Sequence, residues 1–404
     1  MKYARFAVIG AVALLGFSAA TCKAEESWSS LSSPDGMFRI EFSVGEKGKP
    51  LYRVRRGGDE VILPSGLGFF EAGGEDWTGG YVKAELGAAE LHDGSWRPVW
   101  GERSLVRDHY RGAVVLFRRP GPLAGLRLEV RAYDSGVAFR YLVGARGEKK
   151  SINIESEKTE FCFTEDHKTW AVYSAQGKYS KVKLSELRSS VERPCVLETG
   201  AGKVIAIAEA ALVDYARMRL RRSEDSPRTL VSRLHGPVSA ALPLRTPWRV
   251  VMAADRAGEL LENNHLLLNL NEPNKIKDTG WIRPGKVIRE VTLSTKGGLA
   301  CVDFAVEHGL QFIEYDAGWY GDQGKMTSDA RTVSRRGLDL QAVIEYADKK
   351  NIGVILYVNR RHLERDLDDL LPLYRKWGIA GLKFGFVQHG DQRWTRWMHE
   401  AIAK

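Results

Sequence analysis

The stretch Trp377 to His389, WGIAGLKFGFVQH, decides how the last third of this chain is built. Gly378 ends a helix, and a short strand follows from Gly381 to Phe386. The strand is apolar on both faces, which is how a buried parallel strand reads. One cation, Lys383, interrupts it. A charge inside such a run is costly unless it faces a site or a partner, or snorkels from the strand end.

Outward from this strand the pattern repeats. Val287 to Leu293 reads as a strand and Leu299 to His308 as a helix stopped by Gly309. Phe312 to Tyr315 is a strand. Asp339 caps a helix running to Lys350, and Ile352 to Val358 is the next strand. The following helix, Leu363 to Trp377, is predicted to kink or split at Pro372. A last helix, capped by Asp391, runs to the end. Four strand–helix units in series predict parallel strands with crossover helices. A closed (β/α)8 barrel needs eight strands, so four units are either a small open α/β sheet or the first half of a barrel.

Upstream, from residue 25 to 273, the period is two. Phe38, Ile40, Phe42 and Val44 alternate with Arg39, Glu41 and Ser43, and Val137, Phe139, Tyr141 and Val143 alternate again after Asp134-Ser135-Gly136. Short alternating runs split by Gly, Pro and Asp predict antiparallel sheets, most simply a large β-sandwich. The chain thus divides into a leader at 1–24, a sandwich at 25–273 and an α/β region at 274–404.

The leader has Lys2 and Arg5, then an apolar run from Phe6 to Ala20 with small-residue cleavage sites, and reads as a signal peptide. Export to the periplasm or outside the cell is expected. Cys22 raises lipidation, but Thr21 is a poor residue before a lipidated cysteine. No later stretch is apolar enough to span a bilayer. Sixty Lys and Arg are scattered among fifty-one Asp and Glu, for a net charge of +9. The run Arg217 to Arg222 alternates like the wet face of a strand. Diffuse charge without a reading motif argues against nucleic-acid binding. Cys162, Cys195 and Cys301 lack metal spacing. They are expected as free thiols, with a Cys162–Cys195 bridge left open by export.

Parallel strands direct their C-terminal ends at a site. Those ends carry Glu314 to Gly321 (EYDAGWYG), Tyr357 to Arg361 (YVNRR) and Lys383 with Gly385. Asp316, Trp319, Asn359 and Lys383 on one rim suit a sugar, which offers hydroxyls to polar groups and an apolar face to an aromatic ring. A loop-rich rim with a capping Asp and a packing Trp is the bland alternative.

Several motifs in one order resemble glycoside hydrolase family 97. They are Arg97 to Glu102 (RPVWGE) with His109-Tyr110, Glu209 to Tyr215 (EAALVDY), Thr246 to Arg249 (TPWR), Leu268 to Pro273 (LNLNEP), Trp281 to Lys286, Tyr315 to Gly321 (YDAGWYG) and Arg361 to Phe386. The resemblance implies a secreted α-glucosidase or α-galactosidase with an N-terminal β-supersandwich, a (β/α)8 barrel and a C-terminal β domain. It therefore favours the half-barrel, and implies that half the barrel and the third domain are absent here. It implies sugar binding by Asp316, Trp319 and Lys383. It places a Lys-x-Asp nucleophile at Lys383 to Gly385, where this chain has Gly. An inverting mechanism is expected, with general acid and base beyond Lys404, although one expected base position is Asn359. It also implies calcium, held in part by Glu209. That carboxylate sits in an apolar run and needs a partner, for which Arg217 is the simpler candidate. A non-catalytic carbohydrate-binding fragment or degenerate relative is the rival reading.

Overall fold

The computed structural model describes residues 27–121, 125–145, 147–387 and 390–404. The signal peptide read at 1–24, with Cys22, lies outside them, as do Gln388 and His389. Up to Ala254 the paired strands are antiparallel. They form one sheet of seven strands, one of eleven and one of three. The two large sheets face each other over an aromatic core. Phe42 meets Phe117 edge-on at 6.3 Å and Tyr52 meets Phe139 at 4.8 Å.

The strand Val204–Ala210 (VIAIAEA) is apolar throughout because it is covered twice. Ile205 and Ile207 face the sandwich core, while Ala206, Ala208 and Ala210 lie under Leu266 and Leu270 of a short helical segment. Alternation fails wherever a strand is buried on both faces.

Two charges in this double-covered region find each other. Glu209 pairs in register with Arg249 of the strand Trp248–Ala254. The Arg249 guanidinium is fully buried and bonds Glu157 at 2.6 and 2.7 Å and Glu209 at 2.6 Å. Glu157 also accepts from the Thr159 hydroxyl, which contacts the Tyr141 phenol. A buried charge is tolerable only when paired and hydrogen-bonded.

From residue 287 four parallel strands lie side by side in chain order: Val287–Glu290, Phe312–Tyr315, Gly353–Asn359 and Gly381–Gly385. Ile313, Tyr315, Val354, Leu356 and Val358 pack against helices Thr295–Glu307, Leu340–Lys349, Arg360–Trp377 and Gln392–Ala403. Asp339 and Asp391 cap their helices as expected, with Oδ1 accepting from Ala342 and Trp394 amides. Gly378 ends the third helix in the left-handed conformation, φ 83°, which glycine adopts without steric cost.

Three expectations need correction. The first strand stops at Glu290, because Glu290 folds back to accept from the Thr292 and Leu293 amides. The first helix starts at Thr295 rather than Leu299, capped by Ser294. The third helix starts at Arg360 and runs through Pro372 without a split. Pro372 is exposed, so the carbonyl it leaves without a partner can be hydrated. The three cysteines 162, 195 and 301 are free thiols, so the bridge left open does not form.

The last helix docks the α/β region onto the sandwich. The Gln392 amide spans Asp214 and Ser239, the Arg217 amide donates to the Gly390 carbonyl at 2.7 Å, and Arg396 pairs with Asp214 at 2.9 Å. Thr395 donates to the Tyr215 carbonyl at 2.6 Å.

Two stability tests follow from these contacts. Arg249→Met strands two buried carboxylates and is expected to cost about 3–5 kcal/mol in urea unfolding. A loss below about 1 kcal/mol would show that water reaches the cluster. Asn359 caps the third helix, its Oδ1 accepting from the Arg361 amide at 3.0 Å. Asn359→Ala should therefore cost about 1 kcal/mol and Asn359→Asp much less.

Candidate functional site

Side chains alternate across a strand, so one face of the parallel sheet packs on the helices and the other carries the charges. That second face presents Arg289 from the first strand, Glu314 and then Asp316 from the second, Tyr357 and Asn359 from the third, and Lys383 and Gly385 from the fourth. The register pairs Arg289 with Glu314, Tyr357 with Lys383 and Asn359 with Gly385. Three of the four substrate-binding residues expected from the sequence thus reach the C-terminal ends of adjacent strands.

Lys383 is the centre of this face. Its ammonium lies 2.9 Å from Glu314 and 3.2 Å from Asp316. Arg289 approaches the same Asp316 oxygen at 2.9 Å. Burial works to raise the Asp316 carboxyl, but the Ala317 amide, Lys383 and Arg289 override it and hold it below the usual carboxylate range. Burial likewise opposes the charge on Lys383, and Glu314 with Asp316 overcomes it and raises the ammonium. Both shifts favour the charged forms of Asp316 and Lys383 at neutral pH. Lys383 and Asp316 keep solvent access, with 43% and 23% of their side chains exposed, so a ligand can compete for their hydrogen bonds.

Trp319 is not on the rim. It is fully buried among Tyr320, Tyr374 and Trp377, and its indole N–H donates to the Tyr357 carbonyl at 2.8 Å. This corrects the sugar-platform reading. A Trp buried with its N–H satisfied anchors the loop that carries Asp316. Tyr320 helps: its hydroxyl accepts from the Asn359 amide and meets buried His362 at 3.1 Å, and burial pushes its phenol up to about 12.

Asn359 sits at the rim but spends its carbonyl on capping, and its amide reaches the Tyr357 hydroxyl only at 3.5 Å. The capping contact gives Asn359 a positioning role. At Gly385, a Cβ would come within 2.1 Å of the Tyr357 ring. The tyrosine occupies the space that a side chain at 385 would need.

Glu209 is corrected as a metal ligand. One oxygen accepts from Arg249 at 2.6 Å, the other from Arg193 at 2.8 Å, and the Met218 amide contacts both. With both oxygens committed to guanidinium groups, the residue does not fit a calcium ion. Among the described residues no group of three or more His, Cys, Asp or Glu is placed to hold a metal. The bland reading of an Arg partner holds, but the partners are Arg193 and Arg249 rather than Arg217. The rest of the motif has a different use, since Asp214 and Tyr215 receive the last helix.

Arg289 is a site residue that the sequence reading does not single out, whereas Glu314 and Tyr357 lie on strand ends that it does. The signal was present: Arg289 and Glu314 are charges inside short apolar strands, like Lys383.

Residues 31–273 match the family model described as Glycosyl-hydrolase 97 N-terminal, and residues 285–404 the one described as Glycoside hydrolase 97. A retaining alpha-galactosidase of Bacteroides thetaiotaomicron is 25% identical, over 92% of this chain and 62% of that protein. A probable retaining alpha-galactosidase of Streptomyces bingchenggensis is 26% identical, over 93% of this chain and 59% of that protein. The chain therefore spans about three-fifths of the length of these curated relatives. A glycoside hydrolase family 97 enzyme of Pseudoalteromonas sp. strain K8, solved with acarbose, superposes with a TM-score of 0.82 at 26% identity, covering 93% of this chain and 64% of that one. On the match of both family models, this chain belongs to glycoside hydrolase family 97.

Proposed function

We propose that this chain carries the sugar-binding rim of an exported α-glycosidase acting on α-glucosides or α-galactosides. The observation that carries the reading is the Glu314–Lys383–Asp316–Arg289 cluster at the ends of adjacent parallel strands. Neighbouring sugar hydroxyls each give and accept hydrogen bonds, and an ammonium between two carboxylates offers both functions. Four parallel strands in chain order, helices on one face and charges on the other, support reading them as half of a (β/α)8 barrel.

Our reading of the chemistry is a single displacement by water, with inversion. A retaining route needs a carboxylate nucleophile, and position 385 is a glycine filled by Tyr357. The curated relatives are named retaining, and position 385 of this chain supplies no carboxylate for that route. Asn359 cannot serve as a base, since an amide has no useful pKa for the role. Glu314 and Asp316 both neutralise Lys383. A calcium ion would need ligands other than Glu209, and no step here is routed through one. The second reading, a carbohydrate-binding chain without turnover, is favoured by the same lack of a free carboxylate on the rim.

Binding is checked by titrating the chain with methyl α-D-glucoside and methyl α-D-galactoside. One of them should bind, and Lys383→Met and Asp316→Ala should each weaken it at least about tenfold. Aryl glycosides should bind without turnover. Turnover surviving Asp316→Ala would place the chemistry elsewhere.

The pH dependence follows from the two shifts. Asp316 is lowered, so its contribution is present above the ordinary carboxylate value and is lost as pH falls through the lower folded one. Lys383 is raised, so its contribution persists through neutral pH and is lost only above the ordinary lysine value. Binding should therefore be flat between about pH 5 and 9 and fail only well below the ordinary carboxylate value of about 4. A transition near pH 6–7 would implicate a histidine instead.

Gly385→Asp tests the Tyr357 contact. The single variant should melt lower than the parent, and adding Tyr357→Ser should recover part of the loss. Equal melting of parent and single variant would show that the ring moves aside freely.

A further inference from the structure

A cleft of about 410 Å³ opens at the end of the sandwich, between the strand Asp59–Gly66 of the seven-stranded sheet and the strands Val204–Ala210 and Trp248–Ala254 of the eleven-stranded one. It lies at the Val204 end of its strand, whereas the α/β region docks beyond the Ala210 end. Seven residues of strand put about 20 Å between them. The volume is within the ~300–1,000 Å³ range of small-molecule sites.

Three residues that line this cleft each carry a buried polar atom without a partner: Glu60 Oε2, His167 Nδ1 and Thr199 Oγ1. Native proteins satisfy nearly all such groups, so three beside one cleft need an explanation. His167 as a whole is 4% exposed. Its Nε2 meets the Thr164 hydroxyl at 3.3 Å, its ring edge packs on Phe163, and the Leu184 amide holds its carbonyl at 3.1 Å. Nδ1 is left buried and without a partner on a fixed ring. Glu60 gives its other oxygen to Arg55. Thr199 uses its backbone, not its hydroxyl, to close a hairpin with Lys203 at 2.8 Å.

The chemistry of the lining narrows the ligand. Arg56 is held by Asp255 at 2.7 Å, and Lys203 by Asp59. No lining cation is therefore left for an anion. Burial lowers the His167 pKa, which keeps the ring neutral. A carboxylate oxygen that only accepts, a hydroxyl that does both and a neutral ring nitrogen match adjacent hydroxyls on an uncharged molecule.

We propose that this cleft is a second carbohydrate site, taking one neutral monosaccharide unit remote from the parallel-strand rim. It does not rest on the rim reading, and the two fail separately.

The test uses the full chain carrying Lys383→Met, which disables the rim, with methyl α-D-glucopyranoside and methyl α-D-galactopyranoside as probes. Saturation-transfer NMR should show one of them bound at about 10 mM. Thr199→Val, nearly isosteric and without effect on the hairpin, should weaken that binding at least about tenfold, and His167→Phe should do the same. Glu60→Gln, which still accepts, should weaken it less. The proposal is overturned by absence of binding in the Lys383→Met chain, or by binding that Thr199→Val leaves unchanged. A crystal soaked in probe that shows only ordered waters on the three atoms overturns it as well.

Discussion

The buried guanidinium of Arg249 is the contact on which the rest is hung. It lies between Glu157 and Glu209 with none of its side chain exposed, and burial of such a charge is prohibitive without both partners. The network around it crosses the whole sandwich. The Gly68 amide donates to Tyr141, Tyr141 meets Thr159, Thr159 donates to Glu157, and Glu157 and Glu209 close on Arg249. Glu209 then accepts from the Met218 amide, and the adjacent Arg217 amide holds Gly390 just past the fourth parallel strand. These hydrogen bonds, joined by the backbone between Met218 and Arg217, run from the core of the sandwich to the loop after the fourth parallel strand.

That arrangement gives the two halves different duties. The sandwich supplies a rigid dock, and the α/β half supplies a face of charges on strands whose positions the dock sets. Within the α/β half the aromatic loop works the same way. Trp319 and Tyr320 are sunk into the helix side and tied to Tyr357 and Asn359, which leaves Asp316 at the surface beside Lys383. Preorganisation of this kind places a polar group where binding does not have to order it.

The departure at Gly385 is a change in packing as well as in chemistry. Tyr357 has taken the volume beside it, so residues 357 and 385 behave as one unit. A side chain at 385 would have to displace that ring.

The architecture was legible in the sequence because period and punctuation are local properties. Alternation from Phe38 to Val44, the caps Asp339 and Asp391, the stop at Gly378 and the lone Lys383 in an apolar strand each needed only a few neighbouring residues to read. Where an element's edge depended on something distant, local reading failed. The third helix continues through Pro372 because that residue faces solvent, and the strand holding Glu209 is apolar on both faces because a distant helix covers it. The same limit applies to the site. Motif order placed Asp316, Asn359 and Lys383 on one rim. The roles of Trp319, Asn359 and Glu209 were set by what each touches: an indole N–H by the Tyr357 carbonyl, an amide oxygen by a helix N-terminus, and a carboxylate by two arginines, one of them 56 residues away from the other in sequence. A side chain's type limits what it can bond, and only the packed chain decides which partner reaches it first.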